Sequence, residues 1–236
     1  MLAESCLEMP RKKIVRFNGD MREYPRYSIE EAARYLRIPR TTLQAWTRGQ
    51  HYRTRRGIER VYQPIIELAD KHHKLLSFYN LAEAHILRST RERNIPLRNV
   101  RWAIDYVRGT MAPSLHPLLS SDFRTFGKGM FVEHLGRIIN ATKQGQIAMK
   151  EILEKYLERI DWDNLGMPIQ VYPIYSKRLV INIRLSSGKP VVRGTGIMAE
   201  MLLDRRQSGE SIPELASDYG LEPIEIEEAI QEFATA

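Results

Sequence analysis

Residues 28–62 read SIEEAARYLRIPRTTLQAWTRGQHYRTRRGIERVY, and the fold of the front of the chain turns on them. Ser28 followed by Glu31 is a capping box, in which the hydroxyl takes an amide of the first turn and the carboxylate reaches back to the cap amide. The spacing of Ile29, Ala32, Ala33 and Leu36 then predicts a helix over 29–36 with one apolar face. Arg37-Ile38-Pro39 breaks it, because proline lacks an amide and drives its predecessor out of helical torsions. Pro39 suits the entry to a second helix over 40–48, with Leu43 and Trp46 packing back on Ala33 and Leu36 and Gly49 ending it.

That pattern leaves Arg40, Thr41, Thr42, Gln44 and Arg48 facing outward, as a recognition helix would have them. Arginine and glutamine can read guanine and adenine edges in the major groove, and threonine suits phosphate or methyl contacts. The next stretch sets Tyr52 and Val61-Tyr62 on either side of Arg53-Thr54-Arg55-Arg56-Gly57. It predicts a small β-hairpin wing with a basic tip along the sugar-phosphate backbone, Gly57 making the turn. From Arg34 to Arg60 eight arginines meet one carboxylate, Glu59. A helical hairpin with a solvated arginine face is the plain alternative; the one-sided charge and the wing together favour binding to double-stranded DNA. Tyr52, Arg53, Arg55 and Arg56 join the five helix residues as the predicted DNA contacts.

Composition bounds the rest. A chain of 236 residues with 43% hydrophobic and 28% charged residues can bury real cores in two or three small domains, and its net +7 favours a polyanionic partner. No apolar run approaches the roughly 20 residues that span a bilayer, and Glu4, Glu8 and Asp20 interrupt any signal-peptide core, so a cytoplasmic protein with no membrane partner is expected. The single Cys6 cannot form an internal disulfide. The expected division is a tail over 1–24, a DNA-binding domain over 25–110, a connecting α+β region over 111–175 and a C-terminal domain over 176–236.

Behind the wing, Ser77 or Asn80 opens a helix through Arg93, and Pro96 starts another through Arg108 with Val100, Ile104 and Val107 inward. A winged helix-turn-helix followed by two packing helices resembles the MerR-like class, over roughly 27–109. In the connecting region, Phe123–Phe126 and Met130–His134 around Gly127-Lys128-Gly129 predict a β-hairpin, 146–159 an amphipathic helix and 169–174 a strand. The fold class is therefore α+β and mainly helical.

The rear begins with a strand over 180–184, followed by the glycine-rich run SGKPVVRGTGI over 187–197 and a helix over 198–207. Gly209 stops that helix, Ser211 with Glu214 caps a second over 212–219, Gly220 stops it, and 222–233 forms a third, which together predict a three-helix, helix-turn-helix-like domain. The order of strand, GKPVVRGTGI, helix and GESIPELASDYG resembles the prokaryotic domain of unknown function 433, carried by many antitoxins. With the MerR-like front and the run from Gly145 to Ile160, nearly the whole chain resembles VapB-type antitoxins of a two-domain form. That resemblance implies neutralisation of a cognate PIN-like ribonuclease toxin and autorepression at the chain's own operator. The chain departs from the family pattern at Gly196, where arginine is usual, and at Asn182-Ile183, where Asp-Pro is frequent.

From Ile197 to Ala236 ten carboxylates face two arginines. Phosphate would repel the last helix, so a protein partner is expected there, with Glu222, Glu225, Glu228 and the forked donor Arg193 as its contacts. A solvated acidic face, and a glycine turn of purely geometric purpose around Arg193, are the plain alternatives. No catalytic, metal or cofactor site is expected. Asp161 and Asp163 suit a cap or turn, His72 and His73 point apart on a predicted helix, and His85 and His134 lack ligand spacing. A homodimer is expected, since paired recognition helices multiply modest affinities on a palindrome. The competing classes are a stand-alone MerR-like transcriptional regulator and an adaptor whose basic face binds RNA.

Overall fold

The computed structural model describes residues 19–53, 57, 59–62, 64–111 and 114–235. Cys6, Thr54, Arg55 and Arg56 lie outside the described residues, as do the side chains of 50–53, 60–62 and 93. Within the described residues the chain is mainly helical, with a two-stranded hairpin and a four-stranded antiparallel sheet.

Helix α1, Ile29–Leu36, carries the full capping box: the Glu31 amide donates to Ser28 Oγ and the Ser28 amide to the Glu31 carboxylate, at 3.1 and 2.8 Å. It stops on Arg37, left-handed at φ 48°, with the Ile38 amide closing back on the Ala33 carbonyl. Pro39 then caps α2, Arg40–Thr47. Gly49 does not end α2; extended Arg48 does, and the chain passes straight into strand β1, Gln50–Arg53, which leaves no need for a left-handed cap. Strand β2, Glu59–Tyr62, pairs with it antiparallel, Tyr52 opposite Arg60, and Gly57 sits between them at φ +77°. The carbonyl of Trp46 accepts the amides of both Ile65 and Ile66, which fastens the chain behind the hairpin to α2.

His72 and His73 do not lie on a helix and do not point apart. One carboxylate oxygen of Asp70 accepts both their amides at 2.8 and 2.9 Å, which fixes a turn, and their rings meet edge to face at 4.5 Å. Helix α3, Phe78–Arg88, is capped by Ser77 with Asn80 reciprocating, and every residue from Phe78 to Leu87 is buried, making it the central strut. It continues as a 3₁₀ turn over Ser89–Arg93 before α4, Leu97–Thr110.

The hairpin expected at 123–134 is absent: Phe123–Gly127 is a π-helical turn that runs into α5, Lys128–Ile138. Neither Gly127 nor Gly129 has a positive φ, and a Cβ on Gly127 would lie 2.7 Å from Met111 Sδ. That glycine serves close packing, and Phe123, Phe131 and Leu135 recur at helical spacing, a period the glycine pair disguised. Helix α6, Lys143–Leu157, follows, capped by Thr142.

The sheet takes β3 (Ile160–Trp162), β4 (Pro168–Val171), β5 (Leu179–Asn182) and β6 (Pro190–Val192) in that order, so it draws strands from both sides of position 175. Strand β4 is shorter than expected, and the glycine-rich run contains β6 rather than leading directly into a helix. Helices α7 (Ala199–Gln207), α8 (Ile212–Tyr219) and α9 (Pro223–Ala234) complete the rear, α8 ending on left-handed Gly220. One continuous apolar core runs from Tyr27 to Phe233, and each large side chain buried as fully as Leu43 or Trp46 contributes roughly 1.5–3 kcal/mol.

Candidate nucleic-acid interface

The two apolar residues that pin α2 to the core, Leu43 and Trp46, dictate which residues look outward. Arg40, Thr41 and Arg48 are exposed, and Gln44 and Thr42 are partly so. Arg40 pairs with Glu30 across α1 and α2 at 2.5 Å, both side chains more than half exposed. An exposed pair of this kind is worth at most about 1 kcal/mol, so an acceptor on a base edge can displace the carboxylate. Thr42 differs from its neighbours in already having a partner, its hydroxyl accepting from Arg91 at 2.8 Å.

The far end of α2 is held from inside. Arg101 on α4 is 3% exposed, and its guanidinium donates to the carbonyls of Ala45 at 2.6 Å and Arg48 at 3.2 Å. These are terminal carbonyls that a helix cannot satisfy itself, and a cation there also suits the dipole. Arg108, two turns along α4, donates to Ile65 O at 2.5 Å, just behind the hairpin. Helix α4 thus holds both the end of α2 and the chain just behind the hairpin. The sequence reading missed Arg91, Arg101 and Arg108. A signal existed for two of them: Arg101 and Arg108 stand seven residues apart beside the buried Val100, Ile104 and Val107, and a cation on an apolar stripe needs an acceptor. Tyr52 and Arg53 lie on β1, while Arg55 and Arg56 fall outside the described residues.

At the rear, three of the expected partner residues, Arg193, Glu225 and Glu228, converge on a residue not singled out from the sequence, Arg178. Its guanidinium donates to Glu228 at 2.5 Å and Glu225 at 3.2 Å, and its carbonyl accepts the Arg193 amide at 2.7 Å. Glu232 accepts the amides of Lys177 and Arg178 at 3.0 and 3.1 Å and the Ser176 hydroxyl. Helix α9 is therefore not a bare acidic face: its inner carboxylates hold the loop before β5, while Glu222 and Glu227 stay exposed. A helix with so many glutamates and no cation needs one from elsewhere in the chain, and that was the available signal. Arg193 is exposed and lies over the Tyr172 ring at 5.1 Å, beside a groove of about 560 Å³ edged by Gln170, Leu185, Gly194 and Gly196.

The remaining candidates have structural work. Asp163 accepts the amides of Leu165 and Met167 and an Arg22 N–H at 2.6 Å, and so shapes the β3–β4 turn. His85 is fully buried, its Nε2–H donating to the Tyr156 carbonyl at 3.1 Å, and burial holds its pKa down to about 3. Among the described residues no three His, Cys, Asp or Glu side chains gather as a metal site would require, and no helix is long and apolar enough to cross a membrane.

A helix-turn-helix front with an arginine-bearing outer helix, joined to a small sheet and α7 to α9, defines a class of two-domain proteins with recognisable relatives. Residues 25–104 match the family described as "Putative DNA-binding HTH domain", and residues 179–232 match "Protein of unknown function (DUF433)". A Mycobacterium tuberculosis protein named "Putative antitoxin VapB45" is 30% identical over 229 residues, covering 90% of this chain and 95% of that one. The chain belongs to the VapB45 antitoxin family. The crystal structure of Rv2018 from Mycobacterium tuberculosis shares the fold, with a TM-score of 0.63 at 24% identity over 88% of this chain and 97% of that one.

Proposed function

We propose that this chain is the antitoxin of a type II toxin-antitoxin pair, which neutralises a PIN-like ribonuclease toxin by binding it and represses its own operon by binding operator DNA as a homodimer. The observation that carries the DNA half is the outer face of α2, where Arg40, Thr41, Gln44 and Arg48 stand free of the core while Arg101 fixes the helix end. Family membership supports the toxin half. In this reading α7 to α9 form a helix-turn-helix-like unit that meets protein, because exposed Glu222 and Glu227 repel phosphate. The contacts to toxin are Arg193 and Glu222, with Glu225 and Glu228 reaching it at the rim of their pairing with Arg178. The protein works in the cytoplasm, without cofactor or metal, as a binding protein and not an enzyme.

Co-expression with the neighbouring gene, followed by affinity purification of a tagged copy, tests the proposal. A ribonuclease that co-purifies, is silent in the complex and becomes active when the antitoxin is stripped away is the expected result. Salt-dependent binding to the upstream operator with no co-purifying ribonuclease would replace it with a stand-alone regulator.

A further inference from the structure

Helix α4 has two working sides. Inward and toward the front, Arg101 and Arg108 hold α2 and the chain behind the wing; outward, Arg98, Trp102 and Tyr106 follow one another at i, i+4 and i+8. Trp102 and Tyr106 are 41% and 39% exposed. The Tyr106 ring stacks on that of His134 on α5, at 4.1 Å and an interplanar angle of 3°. Gly127 meets Met111 at the other end of the contact, so α4 and α5 run antiparallel. Phe126, Met130 and His134 form a second i, i+4, i+8 row, with Phe126 52% exposed. The two rows join at Tyr106 and His134 into one aromatic ridge along the α4–α5 seam. Exposed aromatic side chains gathered in this way are characteristic of interface centres, not of surfaces left in water.

The charges flanking the ridge indicate its occupant. Arg137 pairs with Glu133 and Asp105 lies 3.8 Å from Arg108, while Arg98 lies over the Trp102 ring at 5.2 Å, so both signs alternate along the ridge. A face for nucleic acid would be cationic, as the outer face of α2 is in carrying Arg40 and Arg48 and no carboxylate of its own, and a face for a basic nuclease would be acidic. A face that carries both signs suits its own two-fold copy, in which each cation can meet the other copy's carboxylate. Continuity with α2 points the same way, since a two-fold axis through α4 would set two recognition helices in a fixed relation through Arg101. We infer that the α4–α5 ridge of Trp102, Tyr106 and Phe126 is the surface through which two copies of this chain pair. The inference rests on the reading that the chain grips a two-fold operator as a homodimer, and it names the surface that makes the dimer.

Sedimentation of the full chain without DNA tests it. The wild-type chain should run at twice its 27.5 kDa, and Trp102→Ala, with Phe126→Ala as a second variant at the opposite end of the ridge, should raise the dimer dissociation constant at least ten-fold while circular dichroism is unchanged. Each side chain is exposed enough for truncation to leave the core intact. A wild-type monomer at tens of micromolar, or two well-folded variants that dimerise as tightly as the wild type, overturns the inference. Operator binding separates the two claims. A Trp102-dependent dimer that binds no DNA sinks the operator reading and leaves the interface standing, whereas tight binding to a palindrome by a dimer indifferent to Trp102 and Phe126 sinks the interface alone.

Discussion

The phenol of Tyr27 donates to the carbonyl of Gly188 at 2.9 Å, joining the residue that opens the helix-turn-helix to the glycine-rich run of the rear domain. Tyr27 is 2% exposed, and the carbonyl it reaches belongs to a residue held at φ +76°. The seam continues on both sides. Tyr175 donates to Tyr35 O at 2.9 Å, Arg37 lies over the Tyr175 ring at 3.8 Å, and the rings of Tyr35 and Phe233 sit 6.3 Å apart. The front therefore leans on the turn before β6 through Tyr27 and on α9 through Tyr35, and a partner that shifts α9 can reach α1 by direct contact.

Gly188→Ala should destabilise the chain by about 2–4 kcal/mol, because alanine is strained at that φ and its methyl would run into the Tyr27 oxygen. Tyr27→Phe removes only the hydrogen bond and leaves the buried carbonyl unsatisfied, at about 1–3 kcal/mol. Urea unfolding of both measures the difference. Equal and negligible losses would show that the seam does not couple front to rear.

Local chemistry was legible where it is self-contained. Ser28, Ser211 and Gly220 announce helix ends through neighbours within a few positions, and the structure has those ends. The outward set on α2 follows from the burial of Leu43 and Trp46 alone. What the sequence hid depends on distant partners. Gly127 reads as a turn residue until Met111 is seen against it, and the α9 glutamates read as free until Arg178 is placed among them. Arg101 reads as one more surface cation until the α2 carbonyls come within 2.6 Å. A residue's type sets what it can bond to, and only the fold decides what it meets.

Arg101→Met keeps much of the buried stem but removes the donors to Ala45 and Arg48. We expect a loss of about 2–4 kcal/mol in urea unfolding. Arg91→Ala, which gives up one exposed hydrogen bond to Thr42, should change stability by less than about 0.5 kcal/mol. If Arg101→Met were as stable as Arg91→Ala, α2 would not depend on α4 for its end.

Operator binding should divide the outward residues of α2 and the hairpin into two kinds. Gln44→Ala and Arg40→Ala should cost about 1–3 kcal/mol on the operator and narrow the gap between operator and unrelated duplex. Arg53→Ala, and likewise Arg55→Ala or Arg56→Ala, should weaken binding to every sequence and reduce the salt slope by about one for each phosphate no longer neutralised. Titrations at several salt concentrations separate the outcomes, and an unchanged slope in the triple wing variant would remove the wing from the interface.

His85 gives the fold a pH dependence of calculable sign. In the native chain its ring is buried against Tyr156 with its pKa lowered to about 3, first by burial and then by the nearby Arg88 and Arg159 charges, against the opposing hydrogen bond to Tyr156 O. Unfolded, it titrates near 6.5. Below that value the unfolded chain takes up a proton the native chain refuses, so stability is full above pH 6.5 and falls as the pH drops toward 3. The loss attributable to this ring should reach ~2 kcal/mol at pH 5. His85→Gln retains a donor for the Tyr156 carbonyl and cannot titrate, so subtracting its unfolding free energies from the wild type between pH 7.5 and 5 isolates the ring from the other histidines. A difference that stays flat across that range would mean that the native site accepts the proton.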